Sequence, residues 1–367
     1  MTAALLVIVA LAAWAPPQDQ PPCDIDLDED VLILPASASP APDGGWTARL
    51  EVWVFEPELD SLVRGRMLAE LADALDLPPG SADDARFRER AAPFFADNER
   101  GQLLALCVGD VTCVLPETAA DGCASATVHL PAEAGEAGAW LDVEAVLRPD
   151  DPRERRGALR LVPAEGLTVV ADIDDTLKVT RVGDTEALLR QTFLLPFEAV
   201  PGMAPLLATW SEAGASFEYL SCSPRQLSPA LLDFLRTAGL PQGGLHLRPF
   251  RWKDERLLSL FEEPARHKRP VLEQVLAAHP SRALLLLGDS GEDDPELYGD
   301  FARAHPEAQV SILVRASQGE AADDPRWPAA FRDLPRERWQ VFSDPGEVDA
   351  ARWLPAPALP PDADATR

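Results

Sequence analysis

Lysine is nearly absent from this sequence: of 33 basic residues only Lys178, Lys253 and Lys268 are lysines. Any basic position therefore has a prior of about one in eleven of being lysine, and the compact ammonium is not interchangeable with the arginine fork. Positive charge is scarce altogether, because 61 acidic residues outnumber the basic ones and leave a net charge of −28. That balance repels nucleic acid at long range, so no nucleic-acid partner is expected. Cys-x-x-Cys is missing too, and the only histidine near the first four cysteines (Cys23, Cys107, Cys113, Cys123) is His129, which disfavours zinc. In an exported chain those four could close up to two disulfides, with a pairing that spacing does not fix. Cys222, between Ser221 and Ser223, reads as a free thiol in a packed loop.

Only one apolar run stands out by length, from Ala3 to Ala15, with small residues at Ala10-x-Ala12 and Ala13-x-Ala15 and a Pro-rich stretch to Pro22. It is too short to span a bilayer and reads as a secretory signal peptide or leader over 1–22. The expectation is export to the periplasm or cell envelope, with a cytoplasmic alternative if the start is misassigned. No internal repeat is visible. What is present, 367 residues with 46% apolar and 26% charged, is the composition of a folded chain with two domains.

Residues 23–156 read as a small β-rich N-terminal domain with a helical insertion. Strands are expected over Trp46 to Phe55, Leu103 to Val114, Ala126 to Leu130 and Trp140 to Leu147, and helices over Leu62 to Leu77 and Asp84 to Phe95. This part carries no ordered set of carboxylates, histidines or glycines at strand ends. It is expected to be a non-catalytic module that positions its neighbour at a surface or partner. From Gly166 the texture changes to continuous apolar runs (167–171, 216–220, 283–287, 310–314) alternating with amphipathic helices (203–213, 228–238, 268–278). That alternation predicts a doubly wound parallel-sheet α/β domain over 160–342, followed by a loose Pro/Ala-rich tail over 343–367.

In such a sheet the site lies beyond the carboxyl ends of the strands. The first run exits into Asp172-Ile173-Asp174-Asp175-Thr176, two carboxylates one residue apart leaving a buried strand. Their repulsion needs a cation or a task to offset it. The second run exits into Ser221-Cys222-Ser223-Pro224, whose hydroxyls and N–H groups suit a phosphate oxygen. Lys268 begins a helix, and the next run ends in Gly288-Asp289-Ser290-Gly291-Glu292-Asp293-Asp294-Pro295, a cluster suited to a hard cation such as Mg²⁺. Singly these are a hydroxyl cap, a solvated lysine and an acidic turn; in order at strand ends they form a catalytic constellation.

The ordered set resembles the haloacid dehalogenase superfamily of phosphotransferases. The segments 172–180, 197–203, 219–227 and 288–298 are similar to the catalytic domain of the actin-patch-type phosphatidate phosphatases over about residues 160–316. Trp53 to Pro57 and Asp97 to Gly101 resemble the N-terminal domain of bacterial members. The resemblance implies a haloacid dehalogenase-type, Rossmann-like fold and a Mg²⁺-dependent phosphomonoesterase. Asp172 would be the nucleophile, Asp174 the acid and then base, and Lys268 the charge-neutralising group. Mg²⁺ would be held by Asp172, the Asp174 main-chain carbonyl, Asp289 and Asp294, with Asp293 a neighbour. Thr176 and Ser221, or Ser223 in its place, would bind substrate. Arg225 stands where the family usually carries an aromatic residue, and is a candidate contact for phosphate or headgroup.

The substrate implied is phosphatidate, giving diacylglycerol and phosphate; the alternatives are a soluble or protein-linked phosphate ester, or a non-catalytic envelope binding protein. About 44 residues separate the first two motifs, too few for a large cap, so an open mouth able to take a phosphorylated lipid is expected. The apolar segment Leu188 to Phe197, with Phe193, Leu194 and Phe197, is a candidate flap for peripheral membrane contact, or it packs on its own domain. Seven Arg or Lys against four acids between Leu245 and Pro270 form a locally basic stretch that could meet lipid headgroups.

Overall fold

A computed structural model of the chain describes residues 23–57, 62–249 and 264–355. The leader, most of the basic stretch after Leu245 and the end of the tail lie outside the described residues. In chain order the first half holds β1 (Asp30–Ile33), β2 (Ala36–Pro40), β3 (Trp46–Glu56), α1 (Leu62–Ala74), α2 (Ala85–Ala91), β4 (Asp97–Asn98), β5 (Ala105–Val108), β6 (Val111–Val114), β7 (Cys123–Leu130), β8 (Trp140–Val146) and β9 (Arg156–Leu161). These nine strands make one mixed sheet, antiparallel except where β2 runs parallel to β9. Strand β3 alternates, burying Ala48, Leu50, Val52 and Val54 while Arg49 faces out. Those side chains meet Leu106 of β5, Val143 of β8 and Leu159 of β9 in one core, which requires the sheet to curl on itself.

Two expectations for this half need correction. Leu103 to Val114 is not one strand but the hairpin β5–β6, turned at Gly109, whose φ of +57° suits glycine. The sheet does not close near Arg156, because β9 begins there and pairs with both β8 and β2.

The second half holds β10 (Leu167–Asp172), α3 (Thr185–Phe193), α4 (Met203–Glu212), β11 (Ser216–Pro224), α5 (Ser228–Thr237), β12 (Gly244–Arg248), α6 (Pro264–Ala278), β13 (Ala283–Asp289), α7 (Asp294–Ala304), β14 (Val310–Arg315), α8 (Arg326–Ala330) and β15 (Trp339–Phe342). All of its strand pairs are parallel, in the order β12-β11-β10-β13-β14-β15. Every residue of β10 is buried, as a central parallel strand covered on both faces must be. Val169 and Ala171 share one core with α3, α4 and α5. Val170 shares another with α6, α7 and α8. The strand order reverses between β10 and β13, so their carboxyl ends open a crevice there.

The two halves are not independent. Leu68 and Leu71 of α1, Phe87 of α2 and nearby Phe94 lie in the same buried cluster as Phe193 and the α3–α5 face of the parallel sheet. The helical insertion of the first half therefore completes the core of the second. The tail also departs from expectation as far as it is described: Trp353 and Val348 are buried, and Trp210 donates its indole N–H to the Ala350 carbonyl at 3.0 Å. An apolar surface beside α4 holds this stretch although its composition is loose.

Candidate active site

Three carboxylates converge at the crevice. Asp172 ends β10, Asp289 ends β13 and Asp294 begins α7, each buried, with oxygens within 4.8 Å of one another. The loop after Asp172 holds its shape through Asp175, which sits at φ +52°. Its carboxylate accepts the N–H groups of Thr180, Arg181 and Val182 at 2.7–2.8 Å, and its carbonyl accepts from Arg315 at 2.6 Å. Asp172 and Asp174, both buried, thereby reach different neighbours.

Lys268 enters the trio from α6 fully buried. Its Nζ lies 2.8 Å from Asp172, 2.8 Å from Glu292 and 2.6 Å from Asp294. Burial works against this ammonium, but the three carboxylates outweigh it and hold it protonated. Asp172 also accepts the Thr176 hydroxyl at 3.0 Å. Burial, with Asp294, Glu292 and Asp289 adding to it, pushes the Asp172 carboxyl up against the pull of Lys268. Burial and Asp294 push Asp289 up to about 8. The Oδ1 of Asp289 accepts from Gly291 N–H and the Ser317 hydroxyl, whereas its buried Oδ2 has no hydrogen-bond partner among the described residues. A buried, all-oxygen acid trio with an orphaned carboxylate oxygen and one lysine fits a hard divalent cation such as Mg²⁺.

Asp174 turns away from that trio. It accepts from Ser221 at 2.7 Å, Ser223 at 3.1 Å and Thr180 at 2.9 Å, and Lys178 Nζ stands 2.8 Å away. Burial alone would raise its carboxyl, but Lys178 and these hydroxyls outweigh burial and pull it down to about 2. Ser221 is fully buried beneath it, while Ser223 lines a cleft with Val182, Leu188, Thr192, Phe193, Pro224 and Glu292.

Asp172, Asp174, Thr176, Ser221, Ser223, Lys268, Asp289 and Asp294 are thus brought to one place. Asp293 is exposed at the start of α7. Arg225 is not with them: it pairs with Glu51 of β3 and the Cys123 thiol, at the junction between the halves. Cys222, like the other four cysteines, is in no disulfide. The candidate flap is mostly core: Phe193 is 1% exposed against Phe87 and Phe94, and of the segment's large apolar side chains only Leu195, at 38%, is open to solvent. Three residues of the site went unassigned in the sequence: Glu292, Thr180 and Lys178. For Lys178 the signal was available, since it is one of only three lysines.

Residues 167–316 match the family described as phosphatidate phosphatase APP1, catalytic domain. The chain is 29% identical over 184 residues to an uncharacterized protein of Schizosaccharomyces pombe. It is 27% identical over 179 residues to phosphatidate phosphatase APP1 of Saccharomyces cerevisiae. Each of these matches covers 48% of this chain but only 30% of the relative, so the shared region spans under a third of either yeast protein. The matched span begins at the strand that delivers Asp172 and ends just beyond the strand after Asp289, taking in every member of the site: residues 167–316 belong to the family of the phosphatidate phosphatase APP1 catalytic domain.

Proposed function

We propose that the protein is a Mg²⁺-dependent phosphomonoesterase that hydrolyses phosphatidate to diacylglycerol and phosphate through an aspartyl-phosphate. The observation that carries this reading is the buried Asp172, bonded to a lysine on one oxygen and to a hydroxyl on the other, inside the span that matches the family. Lys268 pulls against the burial that raises the Asp172 carboxyl, the direction a nucleophile requires. Asp172 attacks phosphorus, the ester P–O bond breaks, and the leaving alkoxide takes a proton from Asp174. Water then gives a proton to Asp174 and attacks the same phosphorus, and the Asp172–phosphorus bond breaks to release phosphate. In the free protein Asp174 is the carboxylate, the form needed for the second half. A phosphoryl dianion arriving beside it raises its affinity for the proton used in the first. Ser223 from the cleft wall and Ser221 from beneath receive phosphoryl oxygens, and Thr176 keeps Asp172 in line. Mg²⁺, held by Asp172, Asp289, Asp294 and the Asp174 main-chain carbonyl, would supply charge compensation for the phosphoryl group.

Leu188, Phe193 and Leu227 beside Asp174 give an apolar wall suited to the lipid side of the scissile bond. The test is phosphate release from phosphatidate vesicles, lysophosphatidate and p-nitrophenyl phosphate, with and without Mg²⁺. The reading expects Mg²⁺-dependent release with phosphatidate preferred, and no release by Asp174→Asn. Release from soluble esters alone would move the substrate to that class. Absence of release from every ester, with the fold intact, would overturn the enzyme.

A further inference from the structure

Asp174 is tied to a residue of the first half, more than eighty positions away, through a continuous set of contacts. On α2, Arg90 is 8% exposed, and among the described residues its partners are main-chain carbonyls and a ring instead of a carboxylate. Its Nη1 donates to the carbonyls of Gln191, Thr192 and Leu195 at 3.2, 2.7 and 2.8 Å, and Arg86 one turn earlier donates to Leu194 at 3.0 Å. Gln191 and Thr192 lie in the last turn of α3, whose carbonyls the helix leaves unsatisfied and where a cation is favoured, and Leu194 and Leu195 follow it directly. The Arg90 guanidinium also lies 3.6 Å from the centroid of the Phe197 ring, and Lys178 Nζ lies 4.8 Å from the same centroid. The backbone completes the link: Val179 N–H donates to Glu198 and Val200 N–H to Leu177, each at 2.8 Å. Lys178 then meets Asp174 at 2.8 Å and donates to Thr180, whose hydroxyl donates to Asp174.

We infer that Arg90 is a positioning residue of the active site: by capping α3 and holding Phe197 it fixes Lys178, and through Lys178 the orientation of the Asp174 carboxylate. This rests on the phosphatase reading above and assigns the N-terminal half a part in the chemistry. On this side α3 packs on α2 and its neighbours through Phe193 against Phe87 and Phe94, while Phe197 also meets Phe234 of α5 edge-on at 5.9 Å.

The test uses the full chain with Arg90→Met, and Arg88→Met on the exposed side of the same helix as control. With p-nitrophenyl phosphate and Mg²⁺, Arg90→Met is expected to lower kcat by about tenfold or more at nearly unchanged KM, and Arg88→Met to change neither. Adding Arg90→Met to Lys178→Met should cost little further, because both act on one carboxylate. Unchanged kcat in a folded Arg90→Met variant, or losses that simply multiply in the double variant, would overturn the inference. Should Arg90→Met fail to fold, Phe197→Leu leaves Arg90 in place, removes the ring between the cations, and carries the same expectations. Hydrogen exchange at the Val179 to Val182 amides gives a readout independent of turnover. Faster exchange there in Arg90→Met at unchanged global stability supports the link, and identical exchange refutes it. A wild type that hydrolyses nothing would sink the proposed function while leaving this exchange result to decide.

Discussion

Replacing Lys268 with methionine preserves most of the side-chain volume and removes the ammonium that touches Asp172, Glu292 and Asp294. Breaking a buried ion pair by deleting one partner costs about 3–5 kcal/mol, because the remaining charge is stranded. The acids have a way out, which is to bind protons. Neutralising a carboxyl of ordinary pKa costs about 1.5 kcal/mol at pH 5 and about 5.6 kcal/mol at pH 8. The destabilisation should therefore be near its full value at pH 8 and fall to about 1–2 kcal/mol at pH 5. The sign follows from linkage. In the variant the folded-state carboxyls lie above their unfolded values, so the folded state binds more protons and stability falls as pH rises through the folded values. Wild type shares a weaker form of this slope, since burial already raises Asp172 and Asp289, the latter to about 8. Urea unfolding of both proteins at pH 5 and 8, with and without millimolar Mg²⁺, reads the effect. Mg²⁺ should restore the variant more than it stabilises wild type. An equal loss at both pH values would mean that Lys268 acts by packing alone, and no Mg²⁺ response in either protein would remove the trio as a divalent-cation site.

Phe193→Ala should cost about 3–5 kcal/mol in urea unfolding, as deletion of a buried ring does, whereas Leu195→Ser should stay within about 0.5 kcal/mol. Weaker vesicle binding by folded Leu195→Ser would tie that exposed side chain to a membrane, and a near-neutral Phe193→Ala would contradict its place in the core. Gly288→Ala would set a Cβ 2.3 Å from Asp294 Oδ2 and 2.7 Å from the Tyr298 ring. The displaced Asp294 should abolish any Mg²⁺-dependent rise in Tm, and an unaltered rise would show that the crowding is relieved elsewhere.

The parts of this structure that could be read from sequence are those where local pattern and burial agree. Central strands such as Leu284 to Leu287 are apolar throughout because both faces are covered, and their ends mark the crevice without further information. Edge and short strands escaped. The sequence Ala-Ser-Ala-Ser-Pro of β2 lacks an apolar face, the arginines of β9 look like a linker, and β12 and β15 lie at the sheet's two edges. Asp172, Asp289 and Lys268 were legible because their chemistry sits at fixed offsets from those runs. Glu292 was not, since nothing local says that it and not Asp293 reaches the lysine. Arg90 escaped, and Arg225 was read as a substrate contact, for a related reason: local sequence does not say which distant element a side chain meets, and both arginines act across more than a hundred residues.

The shared core has a consequence during synthesis. Leu68, Leu71, Phe87 and Phe94 leave the ribosome before any residue of β10, the first strand of the sheet they cover. At ordinary elongation rates of about 5–20 residues per second, the interval between Phe94 and Leu167 is about 4–15 s. Throughout it the amphipathic faces of α1 and α2 have no partner. A nascent chain stalled before Gly166, or a fragment cut there, carries a finished set of N-terminal strands with an uncovered apolar flank, which makes this interval the point at which chaperone contact and aggregation compete.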